Sequence, residues 1–562
     1  MSLRRTLQVA SRRIRIQCMS PLSTSSIQVP CEPPLTSRLP ESALKRGIRM
    51  IRTESPGFDP HHYTNGRWLH RDASERQARF IQFDFEALCQ RVIQLCPGAT
   101  SITSCEKKEG GFNRVFVFHT DNAKSVVAKL PFSVAGPKTL TTKSEVATIK
   151  YLQKKTRVPI PTILEWSDDA HNSIGSEYII MEHATGVSLH ERWPTMDLNE
   201  RIGCIKSIYM NMKEVAELKF SAYGSIYPKK AAGAISKLSL DEDHCIGPHC
   251  GPRYWDCGVG SERCYRDVSP NQGPWLNLGA FCDGLVDTGR SRIPSAQPSN
   301  QPCYKGNIKM HHELLENARV VISNMAEDPR IQAASQPVLY HPDLHKRNIF
   351  VSKEDPEIVT AIIDWQSCSI EPAFWYADEV PDFAQPVPDP ECADKMEPKS
   401  EVCAKAYSAS MHFLIPSIAK VMSMDESLFR PMRFAYSTWN FGAVALCEEL
   451  IQTALHWDEL GLAGSCPFLV PNETEIAEHR ADYEKFQFVQ RLKHSISQAL
   501  ECGTDGWVHA DDWETTKSTY REAYKAMVQA ILEEEDVDDD EPVKSEADIR
   551  ELWPFDLDLL DT

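Results

Sequence analysis

The chain predicts an α+β fold of two lobes, a small antiparallel β lobe followed by a larger, mostly helical one. Three observations carry that prediction. Short apolar runs punctuated by a Gly-Gly turn cluster between residues 109 and 183. Helical apolar spacing then dominates, over 199–218, 311–326, 432–457, 476–502 and 513–535. Between them, two short apolar strands each end in a carboxylate, at Val338-Leu339-Tyr340-His341-Pro342-Asp343 and at Ala361-Ile362-Ile363-Asp364.

The β lobe reads in order. Glu109-Gly110-Gly111-Phe112-Asn113-Arg114-Val115 is strand, glycine turn, strand, and paired glycines let backbone amides approach phosphate oxygens closely. Ser125-Val126-Val127-Ala128-Lys129-Leu130-Pro131 is an apolar strand carrying one lysine. Sixteen residues after that lysine, Ser144-Glu145-Val146-Ala147-Thr148-Ile149 opens a helix with Ser144 as its expected N-cap and Glu145 in its first turn, within reach of Lys129. Val158-Pro159-Ile160-Pro161 is an extended connector. Glu177 to His183 is a strand ending in a hinge, whose backbone near Glu182 and His183 is expected to face a purine.

The second part holds the chemistry. His341-Pro342-Asp343-Leu344-His345-Lys346-Arg347-Asn348 sets an Asn five residues after an Asp. The strand 348–351 is expected to pair with 360–363 and so to bring Asp364 beside Asn348. An acid to receive a hydroxyl proton, and an amide oxygen with a second carboxylate to hold Mg²⁺ against ATP, are what phosphoryl transfer requires.

This ordered set resembles the aminoglycoside phosphotransferase/choline kinase-like family, with a bilobal protein kinase-like fold. Tyr63 to Leu69, Ile246-Gly247-Pro248 and Gly273-Pro274-Trp275 are similar to a fungal mitochondrial subgroup typified by altered inheritance of mitochondria protein 9. The resemblance implies that Asp343 is the catalytic aspartate and that Asn348 and Asp364 are metal ligands. It further implies that Gly110, Gly111, Asn113, Lys129, Glu145, Glu182 and His183 serve ATP. His345 is expected to shape the loop. Lys346-Arg347 departs from the Pro-Gly common there, which alters the loop or adds positive charge near the phosphates. ATP and Mg²⁺ are the implied cofactors and a hydroxyl compound the acceptor. The alternative is a pseudokinase acting as an ATP-binding scaffold.

Composition narrows the partners. With 42% hydrophobic and 25% charged residues the chain reads as an ordinary globular enzyme. Its net charge of −18 is concentrated at the end, where residues 533–562 carry 14 acids against Lys544 and Arg550. The body has no basic stripe for nucleic acid and no run of 18 apolar residues to span a membrane. The acidic tail interleaves Leu552-Trp553-Pro554-Phe555, Leu557, Leu559 and Leu560, which either dock on the helical lobe or bind a protein partner. The opposite end is basic: Arg4, Arg5, Arg12, Arg13 and Arg15 precede the first acid, Glu32, and Leu3, Leu7, Ala10 and Ile14 recur at helical spacing. That is the pattern of a mitochondrial transit peptide.

The expected domains are 1–40 transit peptide, 41–95 extension, 96–185 β lobe, 186–530 helical lobe and 531–562 acidic tail. An insertion rich in Cys, Gly and Pro spans about 240–305. Of 18 cysteines, six (Cys245, Cys250, Cys257, Cys264, Cys282, Cys303) lie in that insertion with His244 and His249. Zinc is one reading, but the spacings lack the short ligand pairs of zinc sites, so buried or free thiols are the other. Asp378, Glu379 and Asp382 follow the Asp364 segment and either attract a cationic substrate or form an exposed acidic turn.

Overall fold

The computed structural model describes residues 58–229, 238–265, 268–299, 301–388, 395–533 and 543–561. The expected transit peptide and the acid run 534–541 lie outside these residues.

The β lobe is one five-stranded antiparallel sheet. Its strands are β2 (Ile102–Glu109), β3 (Asn113–Thr120), β4 (Ser125–Pro131), β5 (Ile163–Ser167) and β6 (Tyr178–Glu182), in the order β2-β3-β4-β6-β5. Alternation in β3 and β4 sends Phe116, Phe118, Val126, Ala128 and Leu130 into a core, each essentially buried. Phe58, Phe83 and Phe85 of the preceding segment complete that core, with the Phe85 and Phe116 rings 5.2 Å apart. Each such phenyl contributes about 1.5–3 kcal/mol by burial.

Helix Leu140–Lys155 crosses from β4 to β5. It begins five residues earlier than the sequence suggests, so Ser144 is a buried interior residue and not the N-cap, and Glu145 lies past the first turn. Thr139, at φ 63°, turns the chain into it without a side-chain cap.

The chain leaves β6 through the hinge and enters β7 (Val187–Ser188). β7 joins β12 (Ile349–Val351) and β13 (Val359–Ile362) in a small sheet. Gly186, at φ 93°, makes the turn before β7, where a Cβ would strike the Val351 carbonyl oxygen. The large lobe packs helices Leu198–Ala216, Leu278–Ser291, Ile308–Ala326, Pro398–Leu414, Ala443–Leu455, Glu473–Ala499 and Trp513–Leu532 around a second core. The helix expected over 432–457 is broken into Arg430–Ala435, Thr438–Phe441 and Ala443–Leu455. The last break is at Gly442, whose φ of 119° no helix accommodates.

Two segments tie the lobes together a second time. β1 (Gly66–Trp68) pairs with β15 (Trp507–His509), and Trp507 is buried in the β-lobe core, with its indole N–H donating to Tyr63 Oη at 3.0 Å. The end of the chain docks on its own helical lobe. Ile549, Leu552, Trp553 and Phe555 are buried there, and the Trp553 indole donates to Tyr520 Oη at 2.6 Å.

The cysteine-rich insertion packs on the large lobe, where Ile246, Tyr254, Trp275 and Phe281 join its core. Within it β10 (His244–Gly247) lies between β8 (Ser225–Pro228) and β9 (Leu238–Ser239). Its described cysteines are free thiols. His249 bonds Glu371 at 2.7 Å, and among the described residues the one metal-sized group is Asp241, Asp243 and His244. Those acids pair with Lys155 and Lys154.

Candidate active site

The site forms where β4, the helix Leu140–Lys155 and the β12–β13 hairpin converge. Lys129 points from β4 into a buried position and donates to Glu145 Oε1 at 2.7 Å, Glu145 Oε2 at 3.0 Å and Asp364 Oδ1 at 2.6 Å. One ammonium is shared by two carboxylates, and this sets the titration of all three groups. Burial opposes the Lys129 charge, yet Asp364 and Glu145 outweigh it and hold the amine protonated beyond its usual range. Burial pushes the Glu145 carboxyl up, since it has only a share of the cation. For Asp364 burial acts upward, but the Lys129 charge and hydrogen bond win and its carboxyl is held low.

The β12–β13 hairpin pairs Ile349 with Ile362, and Ile363 N–H donates to the Asn348 carbonyl at 2.9 Å. Asn348 and Asp364 are thereby neighbours. Asp364 adopts φ 65°, a left-handed conformation rare outside glycine, which turns its side chain out of the hairpin toward Lys129. Trp365 follows it into the core, with its indole N–H on the Ile362 carbonyl at 3.0 Å.

His341 fixes the Asp343 loop to this hairpin. Its Nδ1 accepts the Asp343 N–H at 3.1 Å while Nε2 donates to the Ile363 carbonyl at 2.9 Å. That pattern needs the neutral ring, and burial pushes its pKa down accordingly. The Asp343 carboxylate is fully engaged. Arg347 Nη2 donates to Oδ1 at 2.7 Å and Oδ2 at 2.6 Å, and Asn348 Nδ2 donates to Oδ2 at 2.8 Å. His345 Nε2 lies 3.3 Å from Oδ1. His345 is itself held by the Asp382 N–H on Nδ1 at 3.0 Å, and Asp382 accepts the Lys346 N–H at 2.9 Å. Of the three acids read as a possible cationic-substrate lure, two are thus committed: Asp382 to this loop, and Asp378 to an ion pair with Arg433.

The glycine turn lies at the β2–β3 hairpin, where Gly110 N–H donates to the Asn113 carbonyl at 3.1 Å. A Cβ on Gly110 would meet nothing within 4 Å, so its backbone faces open space. Asn113 Oδ1 is buried without a hydrogen-bond partner among the described residues. Residues that the sequence did not single out brace this turn. Glu109 accepts from Thr64 N–H at 2.8 Å and Arg114 Nε at 2.8 Å, and Arg79 Nε donates to the Gly111 carbonyl at 3.0 Å. The available signal was the Glu109/Arg114 pair flanking the turn. At the hinge, Glu182 N–H donates to Thr162 and His183 N–H to Ser125, so these two donors already serve the sheet.

The donor set suits a hard divalent cation. Asn348 spends its amide nitrogen on Asp343, which leaves its oxygen as a ligand, and the Asp364 side chain is 39% exposed beside it.

A lysine shared by two acids beneath a sheet, above an Asp/Asn loop, marks the class as a two-lobed α+β chain with its polar site between sheet and loop. One stretch of the chain is similar to a known family. Residues 307–375 match the model of the phosphotransferase enzyme family. A subtelomeric hrmA-associated cluster protein of Aspergillus fumigatus is 27% identical over 462 residues, 71% of this chain and 88% of the relative. The altered inheritance of mitochondria protein 9, mitochondrial, of Vanderwaltozyma polyspora is 24% identical over 463 residues, covering 72% of this chain and 70% of the relative. Among solved structures, a thermostable mutant of aminoglycoside phosphotransferase APH(4)-Ia overlaps with a TM-score of 0.32 at 14% identity, over 62% of this chain and 94% of its own. A streptomycin–ATP complex of APH(2")-IIa gives 0.33 at 13%, over 65% and 99%. Among the described residues no helix is long and apolar enough to cross a membrane.

Proposed function

We propose that the protein is an ATP- and Mg²⁺-dependent phosphotransferase that moves the γ-phosphate to a hydroxyl of its acceptor in mitochondria. The observation that carries this reading is the convergence of Lys129, Glu145, Asp364, Asn348 and Asp343, drawn from four separate segments, on one site. Residues so far apart in sequence, three of them charged and buried, are costly to assemble without a use. The mitochondrial localisation accords with the names of the relatives and with the arginine-rich start.

In this reading Lys129, held by Glu145, positions the phosphates, and the open Gly110 backbone lies against them. Asp364 and Asn348 would hold Mg²⁺, which would supply neutralisation of the phosphate charge. Asp343 accepts a hydrogen bond from the acceptor hydroxyl, orients it in line and receives its proton. Most of the rate enhancement is placement and electrostatics.

A second reading, an ATP-binding scaffold that transfers nothing, is favoured by the full set of donors already on Asp343. Asp343→Ala separates the two. It is expected to abolish transfer and leave nucleotide binding measurable, and unchanged transfer would overturn the assignment. Metal-dependent ADP formation by the wild type, absent in Asp364→Asn, excludes the scaffold.

A further inference from the structure

We propose that Arg347 selects the acceptor, which is an anionic alcohol whose phosphate or carboxylate lies close to the hydroxyl it offers to Asp343. The inference rests on the phosphotransferase reading and deepens it.

A carboxylate offers about four lone-pair positions. On Asp343 three hydrogen bonds fill three of them, from Arg347 to both oxygens and from Asn348 to Oδ2, and the His345 ring, with Nε2 3.3 Å from Oδ1, crowds the fourth. An acceptor hydroxyl can reach this carboxylate only if one donor leaves. Asn348 is anchored by a second bond from Nδ2 to the Asp343 carbonyl at 2.9 Å, and it is buried. His345 is pinned on its other nitrogen by the Asp382 N–H. Arg347 has neither restraint. Its recorded bonds go to Asp343 alone, and its side chain is 27% exposed, so it is the donor that can swing aside.

A displaced guanidinium needs a new anion, because leaving a charge-assisted bond for nothing is unfavourable; Asp364, whose carboxyl Arg347 helps to hold low, is already bonded to Lys129, and in the phosphotransferase reading the ATP phosphates are met by Lys129 and Mg²⁺. Neutral and cationic alcohols supply none; a phosphate or carboxylate near the hydroxyl does, and a planar fork binds either bidentately. The neighbouring surface agrees. Asp378 and Asp382, the acids best placed to greet a cationic acceptor, are paired with Arg433 and with Lys346 and His345. The acceptor would therefore release the catalytic carboxylate by its own charge.

The test uses the full chain with a non-hydrolysable ATP analogue and Mg²⁺. Binding of glycerol 3-phosphate, glycerate, glycerol and ethanolamine is measured calorimetrically in wild type, Arg347→Gln and Arg347→Lys. One or both anionic probes should bind wild type tighter than glycerol by on the order of tenfold to a hundredfold, the span of a charge-assisted hydrogen bond. Which of the two is preferred distinguishes phosphate from carboxylate. Arg347→Gln should erase the difference and Arg347→Lys should keep part of it. Equal binding of anionic and neutral probes by wild type, a preference for ethanolamine, or an anion preference that survives Arg347→Gln overturns the proposal. The wild-type comparison stands even if a variant fails to fold. Failure of the parent reading shows separately, as no ADP formed from ATP with any probe while the anion preference persists.

Discussion

Glu145→Gln tests whether the buried acid holds Lys129 in the place the phosphotransferase proposal gives it. Glu145 takes two bonds from Lys129, at 2.7 and 3.0 Å, and the ammonium's third goes to Asp364 at 2.6 Å. For Asp364 to serve a metal that third bond must open, and Glu145 alone then keeps Lys129 in place. A charge-assisted bond contributes about 1.5–3 kcal/mol and its neutral counterpart about 0.5–1.5. Gln keeps one acceptor oxygen, so one bond is weakened and the other is lost, at about 2.5–4.5 kcal/mol of transition-state positioning, roughly 70- to 2000-fold in kcat/KM. The fold should feel much less, since burial already disfavours the Glu145 carboxylate and a neutral amide removes that cost. Steady-state ADP formation read beside thermal melting separates the two effects. The expected result is a loss near a hundredfold with Tm within a few degrees of wild type. Activity within threefold of wild type in a protein that melts normally would refute the reasoning.

Two further predictions concern stability. His479, 2.7 Å from Glu448, joins helices Ala443–Leu455 and Glu473–Ala499, and although burial opposes its charge, Cys447 and Glu448 raise it to about 9 from 6.5. A raised folded pKa stabilises fully below pH 6.5 and ceases to do so as pH rises through about 9. Screening at this partly exposed group reduces the contribution to about 1–2 kcal/mol. Urea midpoints of wild type and His479→Gln should therefore differ at pH 6 and converge by pH 10, and a constant gap would exclude the ion pair. Gly186→Ala should cost about 2–4 kcal/mol, combining a disfavoured φ with overpacking against Val351 and Thr360. An unchanged melting temperature would contradict the geometry of that turn.

What the sequence made legible follows from where chemistry dictates spacing. The interval from Asp343 to Asn348 and the hairpin to Asp364 are short and local, so strand pairing alone places them. Lys129 and Glu145 were readable by order along the chain. The start of the Glu145 helix was not. Thr141, Thr142, Ser144 and Thr148 are all buried in it, so polar residues face inward and the apolar period is blurred. Ser144 consequently looked like a cap. The helix over 432–457 read as continuous because the apolar spacing persists across Gly442, while its φ is set by packing against Tyr304 and Lys305 far upstream. Arg347 was visible only as charge. Its grip on Asp343 depends on the loop turning back on itself at Lys346–Asn348, which composition does not reveal.

The pairing of Gly66–Trp68 with Trp507–His509 orders events in the life of the chain. A protein made or translocated N-terminus first commonly completes its leading domain before the rest arrives. Here the β-lobe core lacks Trp507 until more than 400 residues after Trp68 have emerged. The β lobe therefore cannot close early, and a chain truncated before residue 507 would expose the Tyr63–Trp68 surface to aggregation and proteolysis rather than yield a working half.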